Sequence, residues 1–110
     1  MNKTIHKNLA EGRWFSFTLA EQMGNIGSEV YRASKAEGKD TQLFDGAVNR
    51  ALELFDLTLS DKRWSGRLKE VGRAREVFTD AVLGGKEYGS KLSDLQKYFD
   101  DFALLARSHL

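Results

Sequence analysis

Leu19, Met23, Ile26, Val30 and Ala33 fall four, three, four and three residues apart. The same alternation of threes and fours returns in three later stretches of the chain. It marks one apolar face of a helix each time. Phe44, Val48, Ala51 and Phe55 form the second stripe, widened by Leu43, Ala47, Leu54 and Leu59, a breadth that predicts burial on two sides. Trp64, Leu68, Val71, Phe78 and Val82 form the third, and Leu92, Leu95, Phe99, Phe102 and Ala106, flanked by Tyr98 and Leu105, the fourth. No stretch alternates with the period of a half-buried strand. The sequence contains no proline, so no helix is broken by ring chemistry, and the breaks must come from glycine and polar clusters.

Those breaks are readable. Thr18 followed by Glu21 is a capping box that starts the first helix, and Gly38 within "AEGKD" suits a left-handed stop. Asp40 or Thr41 opens the second helix, "TLSDKRW" turns the chain, and "GGKEYGS" at 84–90 is its most loop-like stretch. The reading is an all-α, single-domain four-helix bundle, mostly antiparallel, with helices over about 18–37, 41–59, 62–83 and 90–108. Residues 1–15 are expected to be an irregular N-terminal segment and 16–110 the bundle, with "WFSF" at 14–17 docked on its body and "RSHL" fraying at the end.

Bulk properties exclude several classes. With 110 residues the chain has room for one core. Seventeen basic against sixteen acidic residues leave a net charge of +1, so only a local patch could attract nucleic acid. No cysteine is present, which removes disulfides, thiolate chemistry and cysteine-bound zinc. No apolar run approaches the length of a membrane span, and the N-terminus lacks a signal-like apolar core, so a cytoplasmic protein is expected.

One residue breaks the pattern. In "EVGRAREVF" the third stripe, about 80° wide, runs through Arg75. A buried arginine must be paired, because it cannot shed its proton. Gln22, Asn25 and Glu29 line an edge of the first helix and are the expected companions, with Glu29 the first choice of carboxylate and Asp56 and Asp101 the next. Gln22, Asn25, Glu29 and Arg75 therefore form a candidate polar centre. It either fixes helix register or binds a small anion such as a phosphorylated metabolite or a magnesium–nucleotide; an Arg75 that snorkels outward past its own stem is the third possibility.

Other constellations are weaker. Glu53 and Asp56 stand one helical turn apart and could hold magnesium, but a second acidic pair is not evident. His6 and His109, the only histidines, sit in neither Glu-x-x-His nor Arg-x-x-x-x-His spacing, and no helix carries a central histidine for phosphotransfer. No Walker-type glycine loop is present, and no hydroxyl has a plausible histidine base. The outward cations Lys62, Lys69 and Arg73 could grip phosphates, although a solvated face or a dock for an acidic partner explains them as well. A ridge of Ala20, Gly24, Gly27, Tyr31 and Ser34 beside the first stripe invites a second helix, from the same chain or from another copy in a homodimer.

The blocks "LAEQMGNIGSEV" (19–30), "RALELFDLTLSD" (50–61), "GRLKEVGRAREVF" (66–78), "EYGS" (87–90) and "KYFDDFALLAR" (97–107) resemble a family of small uncharacterised prokaryotic proteins of similar length. The resemblance implies a stand-alone domain and carries no activity, cofactor or catalytic residue. The functional expectation is a non-enzymatic protein-interaction module with no cofactor, working through the basic third helix or the 84–90 loop.

Overall fold

The computed structural model describes residues 12–108, without the side chains of 102, 103 and 105–108. Most of the irregular segment expected over 1–15, the two histidines, and the side chains expected to extend the fourth stripe (Phe102, Leu105, Ala106) lie outside that description.

Four helices form: α1 (Leu19–Ala36), α2 (Thr41–Leu59), α3 (Leu68–Val82) and α4 (Leu92–Ser108), preceded by a short 3-10 turn over Arg13–Ser16. No strand occurs among the described residues. The capping box closes as expected: the Glu21 amide donates to Thr18 Oγ1 at 3.1 Å and the Thr18 amide to Glu21 Oε1 at 2.8 Å. Gly38 ends α1 at φ 74°, and Asp40 Oδ1 caps α2 by accepting from the Leu43 amide at 3.0 Å.

α1 is the central element. It packs most extensively against α2 and α4, while α3 closes the other side through α2 and, more lightly, α4. The core is continuous. Phe55 on α2 lies 5.8 Å, centroid to centroid, from Phe78 on α3 and 6.1 Å from Phe99 on α4, so one ring ties three helices. Trp14, 1% exposed, joins that core from the N-terminal turn, which docks the "WFSF" stretch. Burial on α2 is narrower than its stripe: Leu43 at its start is 61% exposed.

The third helix begins six residues later than expected. Lys62–Arg67 form a 3-10 turn in which Trp64 leaves helical geometry (φ −101°, ψ 21°). Asp61 caps the turn locally by accepting from the Arg63 amide at 3.1 Å, and the Trp64 indole reaches back to Gln22 on α1, a tertiary bond that accompanies the departure of Trp64 from helical geometry. The buried face of α3 is Val71, Ala74, Phe78 and Ala81, not Leu68 or Val82. That face is turned by roughly 60° from the expected stripe.

Gly27 shows why small residues sit on α1. A Cβ placed there would lie 2.5 Å from the Phe99 Cβ, so α4 approaches to a distance only glycine permits. For Gly27, then, the helix that uses the ridge is α4 of the same chain. Gly85 has the second strict requirement, with φ 74° and a Cβ position 2.8 Å from the Ser90 carbonyl oxygen. The 84–90 loop is tied down by Asp80, whose carboxylate accepts from the Glu87 and Tyr88 amides at 3.1 and 2.9 Å.

Gly27→Ala is expected to destabilise the fold by about 1–3 kcal/mol, since the methyl must displace Phe99. Gly72→Ala, a helical glycine with nothing within 4 Å of its Cβ position, should instead stabilise by up to about 1 kcal/mol. Urea melts of the two variants measure the contrast.

Candidate functional site

The polar residues of α1 diverge into two separate centres. The first surrounds Gln22, which is fully buried. Its Nε2 donates to the Trp14 carbonyl at 3.0 Å and to Asp61 Oδ2 at 3.1 Å. Its Oε1 accepts from Trp64 Nε1 at 2.8 Å. Trp14 Nε1 donates to Thr58 Oγ1 at 3.1 Å, and that hydroxyl donates to the Leu54 carbonyl at 2.9 Å. Asp61, 4% exposed, is clamped by Arg63, whose Nη2 reaches Asp61 Oδ2 at 2.6 Å and the Phe17 carbonyl at 2.7 Å. The Arg63 guanidinium also lies over the Trp64 ring at 4.4 Å. Hydrogen bonding from Arg63 dominates over burial and draws the Asp61 carboxyl down to about 2. Every polar atom of Gln22 and Asp61 is thus spent on holding the N-terminal turn, α1 and the α2–α3 connection together.

The second centre is Glu29, 7% exposed on α1. Its Oε1 accepts from Arg50 Nε on α2 at 3.1 Å, and its Oε2 pairs with Arg32 Nη1 at 3.1 Å. Glu29 is therefore the buried carboxylate that the sequence suggested, with Arg50 rather than Arg75 across from it.

Arg75 is not folded inward. The rotated face of α3 puts it at the margin of the core, where its Nε donates to Asp56 Oδ1 at 2.9 Å, with the side chains 35% and 60% exposed. Asp56, the second-choice carboxylate, is its partner. Asn25 is exposed and donates to the Glu21 carbonyl of its own helix at 2.8 Å. Gln22, Asn25, Glu29 and Arg75 consequently do not converge. Asp56 of the Glu53–Asp56 pair is engaged by Arg75, Glu53 is partly buried, and among the described residues no three His, Asp or Glu side chains gather in a metal-holding cluster.

The basic third-helix surface is exposed but largely self-neutralised. Arg67 pairs with Glu70 at 2.8 Å, and Arg73 approaches Glu76 at 3.7 Å and the Tyr88 ring at 5.9 Å. Lys62 and Lys69 remain as exposed cations. A different surface stands out. Tyr31 and Leu43, 48% and 61% exposed, flank a depression of about 320 Å³ bordered by Arg32, Lys35, Lys39 and Arg50. A second depression of about 430 Å³ shares Tyr31 and Arg32 with it and extends past Gly24 and Ser28 to Gln96 and Asp100 on α4. Gln96 lines that second hollow, and its Oε1 is, among the described residues, a buried side-chain oxygen without a hydrogen-bond donor.

Sequence reasoning missed Asp61, Arg50 and both indoles as polar partners. A signal was present for the tryptophans: each indole N–H needs an acceptor once buried. No family model matches the chain, and no curated protein or solved structure matches it.

Asp61→Asn is expected to cost about 2–4 kcal/mol in a urea melt, because it weakens the hold on Arg63 and on the Gln22 amide. The pH dependence follows from the lowered carboxyl. The stabilisation is complete above its ordinary value of 3.8 and disappears as pH falls through about 2. Wild type should thus lose about 2 kcal/mol more than Asp61→Asn on acidification across that window. Arg75→Leu should change stability by less than about 1 kcal/mol, as expected of an exposed pair.

Proposed function

We propose that the chain is a non-enzymatic protein-interaction module that works as a homodimer in the cytoplasm. The observation that carries this reading is the joined pair of open hollows around Tyr31, where two large apolar side chains stand exposed beside four cations. Exposed apolar surface rimmed by charge is the usual signature of a protein-binding face. The buried polar groups support the same reading from the other side. Gln22, Asp61 and Glu29 are committed to partners within the chain, so they present no converging set of free polar groups to a substrate.

The competing readings are a small-ligand site for a phosphorylated metabolite or magnesium–nucleotide, and nucleic-acid binding through Lys62, Lys69 and Arg73. Both have a narrower base. Arg73 and Arg75 already face carboxylates, and Arg32 and Arg50 share one.

A thermal-shift panel of nucleotides, phosphometabolites, divalent metals and a short single-stranded oligonucleotide separates the readings. A flat panel, together with amine-reactive cross-linking of the purified chain to a dimer at micromolar concentration, is the expected result. A ligand present at about 100 times its Kd would stabilise by about 2.7 kcal/mol, which is roughly 10 °C for a domain of this size. Such a shift would replace the interaction reading with a ligand-binding one.

A further inference from the structure

The hollow where the end of α1 meets the start of α2 has more donors than acceptors. Arg32, Lys35, Lys39 and Arg50 border it, and Asp40 is the carboxylate in its lining. Asp40 accepts from the Leu43 amide at the positive end of α2, so its charge is spent on that helix. Glu29 gives one oxygen to Arg32 and the other to Arg50. A guanidinium carries five N–H groups, so each arginine keeps most of its own. Lys35 lies over the Tyr31 ring at 5.3 Å, and Lys39 has no carboxylate within ion-pair distance among the described residues. Glu37 and Asp45, the nearest other carboxylates along the chain, do not border the hollow. Four cations thus face two committed carboxylates, in a chain whose net charge is only +1. The same border carries exposed apolar surface from Tyr31 and Leu43.

We infer that this hollow receives an acidic segment of a partner protein. The inference rests on the protein-interaction reading above and names the partner's chemistry. A bulky apolar side chain of the segment lies against Tyr31 and Leu43. Carboxylates on either side of it reach Lys35, Lys39 and the remaining N–H groups of Arg32. The apolar contact supplies affinity, and the charges set register and speed the encounter.

Charge and shape select this occupant over the others. Residues 1–11 of the chain itself carry Lys3 and Lys7 against Glu11, which does not complement a basic hollow. A single small anion would leave Tyr31 and Leu43 uncovered and most of the cations unanswered. A nucleic acid gains from stacking its bases on open rings, and Lys35 already covers one face of Tyr31.

Fluorescence anisotropy tests the assignment with a labelled ten-residue peptide, a central Leu-Phe pair between two runs of four Asp. Wild type is expected to bind it, and less tightly as salt is raised. The same peptide with Ser-Ser in place of Leu-Phe should bind at least tenfold more weakly. Lys35→Glu combined with Lys39→Glu, and Leu43→Ser alone, should each weaken the Leu-Phe peptide at least tenfold. Lys62→Glu combined with Lys69→Glu makes the same change in net charge elsewhere and should leave binding within a factor of two. All five side chains are exposed, and unchanged thermal melts will show that each variant keeps the fold. No binding at millimolar peptide, equal loss in the two double variants, or no loss with Leu43→Ser overturns the acidic-segment assignment. The protein-interaction reading then still stands or falls by the cross-linking experiment. Tighter binding of an oligonucleotide or of phosphatidylserine vesicles, lost with Lys35→Glu and Lys39→Glu, hands the hollow to that class instead. A hollow closed to the peptide in the cross-linked dimer belongs to a second copy, which also overturns the assignment.

Discussion

The Asp61 carboxylate sets the geometry of one whole end of the molecule. It accepts from Gln22 on α1, from the backbone and guanidinium of Arg63, and through them orders the N-terminal turn, where Arg63 also holds the Phe17 carbonyl. A buried anion is costly unless its lone pairs are filled, and here they are filled by Gln22 from α1 and by the amide and guanidinium of Arg63. The same demand shapes the connection between α2 and α3. Arg63 reaches the Phe17 carbonyl and Trp64 reaches Gln22 on α1, the residues that carry them wind as a 3-10 turn, and α3 starts only at Leu68.

That late start has a consequence for the residue that first looked anomalous. A helix continuous from Trp64 would place Arg75 at the centre of the apolar face. Once Trp64 is taken out of the helix, the face that packs is Val71, Ala74, Phe78 and Ala81, and Arg75 moves to the margin beside Asp56. The arginine is not an inward cation requiring a ligand. It is a surface link between α2 and α3, and the buried carboxylates in ion pairs are Glu29, with Arg50 across from α2, and Asp61, with Arg63.

The helices were legible because their signals are local. Three-four spacing, the Thr18 box, the Asp40 cap and Gly38 each act within a turn or two, and α1, α2 and α4 lie within two residues of where the pattern places them. The third stripe misled because Ala74 and Ala81 are weakly apolar and Leu68 and Val82 strongly so, yet the small pair is the one that is buried. The polar centres were only half legible. Gln22 and Glu29 are marked as unusual by their place beside the α1 stripe, but their partners come from 39 and 21 residues away and depend on how the helices are arranged. The cationic hollow was less visible still, since it combines the end of α1 with the start of α2 and includes Leu43, which the pattern assigns to the core.

The position of the chain's two tryptophans decides what light can report about it. Trp14 and Trp64 are bonded into the same cluster at the same end of the bundle, one to Thr58 and the other to Gln22. Intrinsic fluorescence from this protein therefore watches the docking of the N-terminal turn, whereas circular dichroism watches the helices as a whole. Any separation between the two signals during unfolding measures how independently that corner releases from the rest.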